Sequence, residues 1–506
     1  MIAKTLSAIP YGYDGRLVEV EGDMNKGLPA FNIVGMANKT ISEARERVKS
    51  AITNSSFSFP DKKVTINLAP ADLLKDGSYL DLPIALTVLA LSHQLRQEDL
   101  AARLFVGELS LNGNLRPVHG IINIVETARA AGITEIYLPL ENLAQASLIS
   151  GVTLFGVKNL QELFLHLKGE RLLSPNPTTV VENIKTPIDG PILDHIRGQA
   201  AAKRALSIAI AGHHNILISG PPGAGKTLLA RAAANLLPPL SPEEMISITK
   251  IHSISGEADG IVSARPFRSP HHTASSVSII GGGVKATPGE ISLAHLGVLF
   301  LDEIPEFPRS VLEALRQPLE DKKISISRAN SKTTYPADFM LIATMNPCPC
   351  GYLGDPTHEC SCTQTQIQNY AKKLSGPLFD RIDMNLEVAK VDNSDLLKKR
   401  SLKDPSDPTT EHNVVKNKIT EAIHRQNARY HRTDVYNSSL TSHQVSSLLK
   451  LSAKAEAFLS NASEKLNLSA RSYFKVLKVA QTICDLDGID QIDVPQLSEA
   501  LAFRKR

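Results

Sequence analysis

The segment from Ile216 to Ala234 limits the folds open to this chain more than any other. Ile216-Leu217-Ile218-Ser219 is a short apolar run of the buried-strand type. Gly220-Pro221-Pro222-Gly223-Ala224-Gly225-Lys226-Thr227 is a glycine-rich loop, and Leu228 to Ala234 reads as a helix. This is the G-x-x-x-x-G-K-[ST] spacing in a strand–loop–helix context. Glycines let successive backbone N–H groups converge on phosphate oxygens, and the helix N-terminus adds partial positive charge. The pattern predicts that Lys226 reaches the β- and γ-phosphates of ATP and that the Thr227 hydroxyl binds Mg²⁺.

A second apolar run, Val298-Leu299-Phe300-Leu301, ends in Asp302-Glu303. Such a run is a central parallel strand that delivers both acids at its C-terminal edge beside the phosphate loop. Asp302 is then expected on Mg²⁺ and Glu303 on the attacking water. Four of the five cysteines cluster as Cys348, Cys350, Cys360 and Cys362, two C-x-C pairs around a nine-residue loop. Four thiolates at that spacing fit a tetrahedral Zn²⁺ site. A reduced, metal-free loop is the alternative, and His358 is a possible substitute ligand. His271-His272 has no carboxylate nearby and reads as a polar loop contact. Cys484 reads as a packed thiol.

With 506 residues the chain has room for two to four domains. Residues 1–168 alternate strand and helix signals, an α+β pattern. Thr40-Ile41-Ser42-Glu43 forms a capping box, and the helix behind it puts Ile41, Ala44, Val48, Ala51 and Ile52 on one face. Val64–Leu68 and Glu135–Leu138 read as strands, Ile121–Ala131 as a helix. Asn112-Gly113 predicts a type I′ turn within a hairpin spanning Gly107–Val118. Residues 169–192, with Pro175, Pro177, Pro187 and Pro191, form a linker. Residues 193–394 hold the nucleotide motifs, with a long polar stretch from Ser241 to Pro288 and a hairpin over Ile324–Tyr335. Residues 395–506 read as a helical lid, with helices at Glu411–Arg429, Ser442–Leu451, Ala453–Asn461, Ser469–Ile483 and Val494–Phe503.

The net charge of +3 is small, so a nucleic-acid partner would have to meet a local basic surface. The apolar run Leu82–Leu91 is too short to span a bilayer, and the N-terminus has no basic-then-apolar leader. A cytoplasmic protein without a membrane partner is expected.

Several segments resemble known families. Lys75-Asp76-Gly77, the Gly107–Val118 hairpin and the helix after it resemble the proteolytic domain of Lon proteases. The resemblance implies a Lon-like (ribosomal S5 domain 2-like) fold. That family needs a Ser nucleophile and a buried Lys. Tyr79 and Ile122 stand at those two positions and Ser78 lies one place early, so a fold without peptidase activity is expected. Ile196 and Gln199 lie where AAA+ ATPases place residues beside the adenine. Asn346 resembles their γ-phosphate sensor, Leu378–Asp383 their arginine-finger segment with Arg381, and Arg471 the second sensor arginine of their lids.

Phe31–Gly35, Asp81–Leu86, Arg265–His272, Gly289–His295 and Asn346–Gly351 together resemble the magnesium-chelatase-like AAA+ ATPases, in the branch of the bacterial ComM and YifB competence proteins. The resemblance implies an α/β P-loop AAA+ domain between the Lon-like domain and the lid. It further implies a homo-hexameric ATPase that moves on single-stranded and branched DNA. Its role would be helicase or branch-migration work with recombination proteins, when imported strands are integrated in natural transformation. Arg265, Phe267, Arg268, Arg328 and Lys332 would then be DNA contacts on pore-facing loops. A protein-remodelling ATPase of the chelatase type is the alternative.

Overall fold

The first strands show why this chain folds as it does: in Asp14–Asn25 the apolar Val18, Val20 and Met24 alternate with Glu19, Glu21 and Asp23, and Val18 and Val20 are fully buried. The structure, a computed structural model, describes residues 2–35, 39–73, 75, 78–176, 190–258, 260–283, 286–328, 331–355, 358–390 and 407–504, without the side chains of 39–42, 327, 328 and 331. The capping box at Thr40–Ser42, Asp76-Gly77, the Arg328 side chain, the tip Ala329-Asn330, linker residues 177–189 and the start of the lid segment, 395–406, lie outside the described residues. The chain forms two compact units: residues 1–185 with 240–263 and 327–335, and residues 186–239 with 264–326 and 336–506.

In the first unit β1 (Ile2–Tyr11) and β2 (Asp14–Asn25) form an antiparallel hairpin. They join β3 (Ala30–Val34), β4 (Lys63–Ala69), β5 (Arg103–Phe105), β6 (Glu135–Pro139) and β7 (Thr153–Val157) in a seven-stranded sheet of order β3-β4-β2-β1-β5-β6-β7. The helix Lys39–Asn54 buries Ala44, Val48, Ala51 and Ile52, the face its spacing predicts. The helix Asp81–Leu91 is buried throughout. At the Asn112-Gly113 turn the sequence reading needs correction. A type I′ turn requires positive φ at both residues, but only Gly113 has it (82°). Gly113 donates its N–H to the Ser110 carbonyl, and Ser110 pairs with Asn114. This is a type I turn closed by a glycine bulge, which an Asn-Gly pair also fits.

The second unit is built on a parallel five-stranded sheet. Its strands are β8 (Ile216–Ser219), β9 (Phe267–Arg268), β10 (Val298–Leu301), β13 (Met340–Met345) and β14 (Met384–Glu387), in the order β9-β10-β13-β8-β14. Between β10 and β13 the chain makes the two-stranded hairpin of β11 (Lys323–Arg328) and β12 (Ser331–Pro336). Strands covered on both faces read as continuous apolar runs, and β10 is buried along its length. Ser219 is in register with Met345, so the loop after β8 and Asn346 after β13 leave the sheet side by side.

The lid helices are Glu411–Tyr430, Ser442–Leu448, Ala453–Lys465, Ala470–Asp487 and Val494–Ala502. Thr410, Thr441, Ser452 and Ser469 cap the first four with side-chain oxygens. The second stops three residues earlier than its pattern predicts, because Leu449 is extended and Leu451 bridges Ile492. One apolar core runs from the sheet through the helix Ala200–Gly212 (Leu206, Ile210) to Ile419, Val479 and Ile483 of the lid.

The stretch Ser241–Pro288, read as a long polar connection, contains the helix Pro242–Ser255. Ser241 and Glu244 form its capping box and Gly256 (φ 75°) ends it. The helix belongs to the first unit: Ser253 accepts the Gly120 N–H and donates to Gln145, while Ile246 packs into the apolar cluster around Ile121 and Ile124.

Candidate functional site

The end of β8 turns into the phosphate loop. Gly225 sits at φ 80°, a left-handed conformation that suits glycine, and starts the helix Lys226–Ala234. Lys226 Nζ donates to the carbonyls of Gly220 (2.6 Å) and Pro221 (3.1 Å) and to Asn346 Oδ1 (2.9 Å). Burial holds the Lys226 ammonium below its usual pKa, with Asp302 and Glu303 opposing that shift. Thr227 Oγ1 donates to Asp302 Oδ2 at 3.0 Å. Asn346 Nδ2 lies 3.4 Å from Glu303 Oε1. Five predicted residues, Lys226, Thr227, Asp302, Glu303 and Asn346, thus meet at the C-terminal edge of three parallel strands.

Thr344 completes the group and carries no motif. Its hydroxyl donates to Asp302 and accepts the Glu303 N–H (3.0 Å), fixing both acids from the neighbouring strand. Its only sequence signal is a hydroxyl in the otherwise apolar run of β13. Glu303 has φ 51°, a left-handed conformation costly for a side chain with a Cβ, and the turn so formed directs it away from the strand line. Gln199 donates to the carbonyls of Ala224 (3.4 Å) and Ala389 (2.7 Å), and Ile196 is buried in the core that includes Ala224. Pro222, Gly223 and Ala224 complete the loop.

Arg381 and Arg471 are together, but elsewhere. Both contact Glu320 Oε1, at 2.6 Å and 2.8 Å. Burial alone would raise the Glu320 pKa, but the two guanidinium groups hold it below the usual carboxylate range. The three residues line a cavity of about 510 Å³ with Lys475 and Lys478, and no residue of 220–227 lines it.

The nucleic-acid candidates separate. Phe267-Arg268, expected on a pore-facing loop, is instead the edge strand β9, where Phe267 stacks on Phe300 (5.6 Å). Arg268 forms a bidentate pair with Glu290 at 2.6 and 2.8 Å. Arg265 donates to the carbonyls of Pro238 and Leu296, both at 2.7 Å. These three residues are committed to partners within the chain. Lys332, on β12, is exposed.

The four clustered cysteines place their sulfurs within 4.8 Å of one another. Cys348 lies 3.3 Å from Cys350 and 3.6 Å from Cys360, and Cys350 lies 3.6 Å from Cys360. These spacings are too long for disulfides and approach the edge of roughly 3.8 Å that a zinc–thiolate tetrahedron requires. His358 stacks on Tyr352 instead of joining the group. His271 and His272 stack at 4.2 Å, and His271 Nδ1 bonds Thr273. In the first unit Ile122 is fully buried among apolar side chains, Tyr79 packs beside it, and Ser78 is bonded to Glu108. Among the described residues no Ser–Lys dyad is assembled there.

The fold and this pocket define a P-loop ATPase of the AAA+ class. Comparison with known families agrees: residues 192–396 match the family described as magnesium chelatase, subunit ChlI. Residues 20–142 and 409–504 match the subunit ChlI and ChlI C-terminal families. The chain is 42% identical to competence protein ComM of Haemophilus influenzae, over 99% of this chain and 97% of that one. It is also 42% identical to YifB of Escherichia coli, over 97% and 95% of the two chains. Lon protease 2 of Bacillus subtilis is 28% identical over 29% of this chain and 30% of its own. The chain therefore belongs to the ComM/YifB family of magnesium-chelatase-like proteins. No helix among its described residues is long and apolar enough to cross a membrane.

Proposed function

We propose that this protein is an ATP-driven, ring-forming DNA motor that moves strands during recombination of incoming single-stranded DNA. One observation carries the reading: the phosphate pocket and the arginine pair occupy separate places in one chain. On this reading a second copy brings Arg381 and Arg471 to the nucleotide, and ATP turnover requires assembly, as a homo-hexamer. Thr227 and Asp302 would hold Mg²⁺, which supplies charge neutralisation at the phosphates. Glu303, held by Thr344 and Asn346, would orient the attacking water. The cysteine donor set fits Zn²⁺. The name of the ComM relative and the exposed Lys332 support DNA as the partner over a remodelled protein.

The deciding experiment uses purified protein on labelled forked and three-stranded DNA. ATP-dependent strand displacement that disappears in Lys226→Ala is expected. ATP turnover indifferent to DNA, with no displacement, would favour the chelatase-type remodelling reading.

A further inference from the structure

The cysteine cluster lies in the same loop system as the nucleotide pocket. Cys348 follows Asn346 by two residues and is fully buried. Gly351 donates its N–H to the Cys348 carbonyl at 3.0 Å and has φ 86°. A Cβ on Gly351 would lie 2.9 Å from Pro222 Cδ of the phosphate loop and 3.9 Å from Asn346 Cγ. The cysteine loop therefore rests directly on the phosphate loop. At its other end Cys362 immediately precedes Thr363, the cap of the helix Gln364–Lys372. Tyr370 on that helix is buried, and the Asn346 backbone N–H is near enough to oppose the rise in its pKa that burial causes. Lys373 beyond it pairs with Glu306 at 3.1 Å, on the turn that follows Glu303.

The chain thus leaves Asn346, passes through four thiols, and comes back to the neighbourhood of Asn346 at Tyr370. The loop has little apolar matter to hold that path, since Leu353 is exposed. Where a hydrophobic core is missing, thiolate–metal bonds supply the folding energy instead.

We propose that a thiophilic divalent metal, zinc by its donor set, bound by Cys348, Cys350, Cys360 and Cys362 is a clamp that positions Asn346 against the phosphate loop. It governs ATP hydrolysis rather than nucleotide capture. The inference rests on the reading of the pocket as an ATPase site. Asn346 is the residue through which the clamp acts; the cysteines are positioning residues. Nucleotide affinity comes chiefly from the loop amides and Lys226, which the clamp touches only at Pro222.

The test uses the full chain. Elemental analysis is expected to find one zinc per chain, and Co²⁺ exchanged into the site is expected to show the absorption of tetrahedral thiolate. Stripping the metal under reducing conditions is expected to leave ADP affinity within about twofold and to lower ATP turnover about tenfold or more, with recovery on zinc addition. Cys350→Ser with Cys360→Ser leaves Gly351 and its contact with Pro222 in place but removes two of the four thiolates. It is expected to lose zinc and turnover together while keeping ADP affinity, and this variant decides the matter if the stripped protein precipitates. Full-rate turnover in the double variant, full-rate turnover without metal, or a chain that takes up no metal overturns the clamp. Turnover that survives Lys226→Ala overturns the ATPase reading itself. Lys226-dependent turnover indifferent to zinc overturns only the clamp.

Discussion

The phosphate pocket and the arginine cavity are built from the same unit but by opposite principles. In the pocket, groups from β8, β10 and β13 bond one another: Lys226 to Asn346, Thr227 to Asp302, Asn346 to Glu303. In the cavity, Arg381 and Arg471 converge on a single carboxylate, Glu320. The pocket is preorganised by its own neighbours, whereas the two arginines share one carboxylate, and Arg381 also donates to the carbonyls of Arg316 and Pro377. On the proposed reading, nucleotide capture is a property of one chain and hydrolysis a property of several.

The largest effect expected on this contrast is at Arg381. Arg381→Ala should bind ATP normally and lose about 10³–10⁵-fold in turnover. Mixing it with Lys226→Ala subunits should restore part of the activity, measured as phosphate release; a mixture as dead as its parts would place the arginine's action within its own chain. Glu303→Gln comes next, with an expected loss of about 10²–10⁴-fold at unchanged ATP affinity, because the amide cannot take a proton from water. Retained turnover there would remove Glu303 from its assigned part. The smallest effect concerns the cavity wall. Burial pushes His213 down to about 4 from its ordinary 6.5. The unfolded chain then takes the proton more readily than the folded one. Its contribution to stability is complete above about 6.5 and is lost as pH falls toward about 4, on the order of 2 kcal/mol. His213→Asn, which tolerates the left-handed backbone at φ 55°, should flatten that slope in urea unfolding followed between these pH values.

The pocket was legible because its residues sit at fixed offsets from apolar runs: a loop after β8, two acids after β10, an amide after β13. Sheet register then brings them together without further instruction. Thr344 was not legible, since its role is a hydrogen bond between strands and its local sequence is only that of a strand end. Glu320 was hidden for a similar reason: one acid in a charged helix, Arg316–Asp321, reads as surface. The misread segments share a cause. Phe267-Arg268 and Pro242–Ser255 are too polar to announce a strand and a helix, and tertiary partners (Phe300, Glu290, Gly120, Gln145) complete them. The Lon resemblance was readable in outline from Lys75-Asp76-Gly77 and the hairpin that follows.

The helix Pro242–Ser255 has a consequence for how this architecture can be inherited. It is spelled out in the middle of the ATPase sequence yet packs Ile246 into the first unit's apolar cluster and ties Gly120 to Gln145 through Ser253. A fragment cut after the linker would leave Ile246 without that cluster and the Ser253 hydroxyl without both of its bonding partners. The front half and this inserted helix are therefore expected to be gained or lost as a pair, since neither keeps its partners without the other.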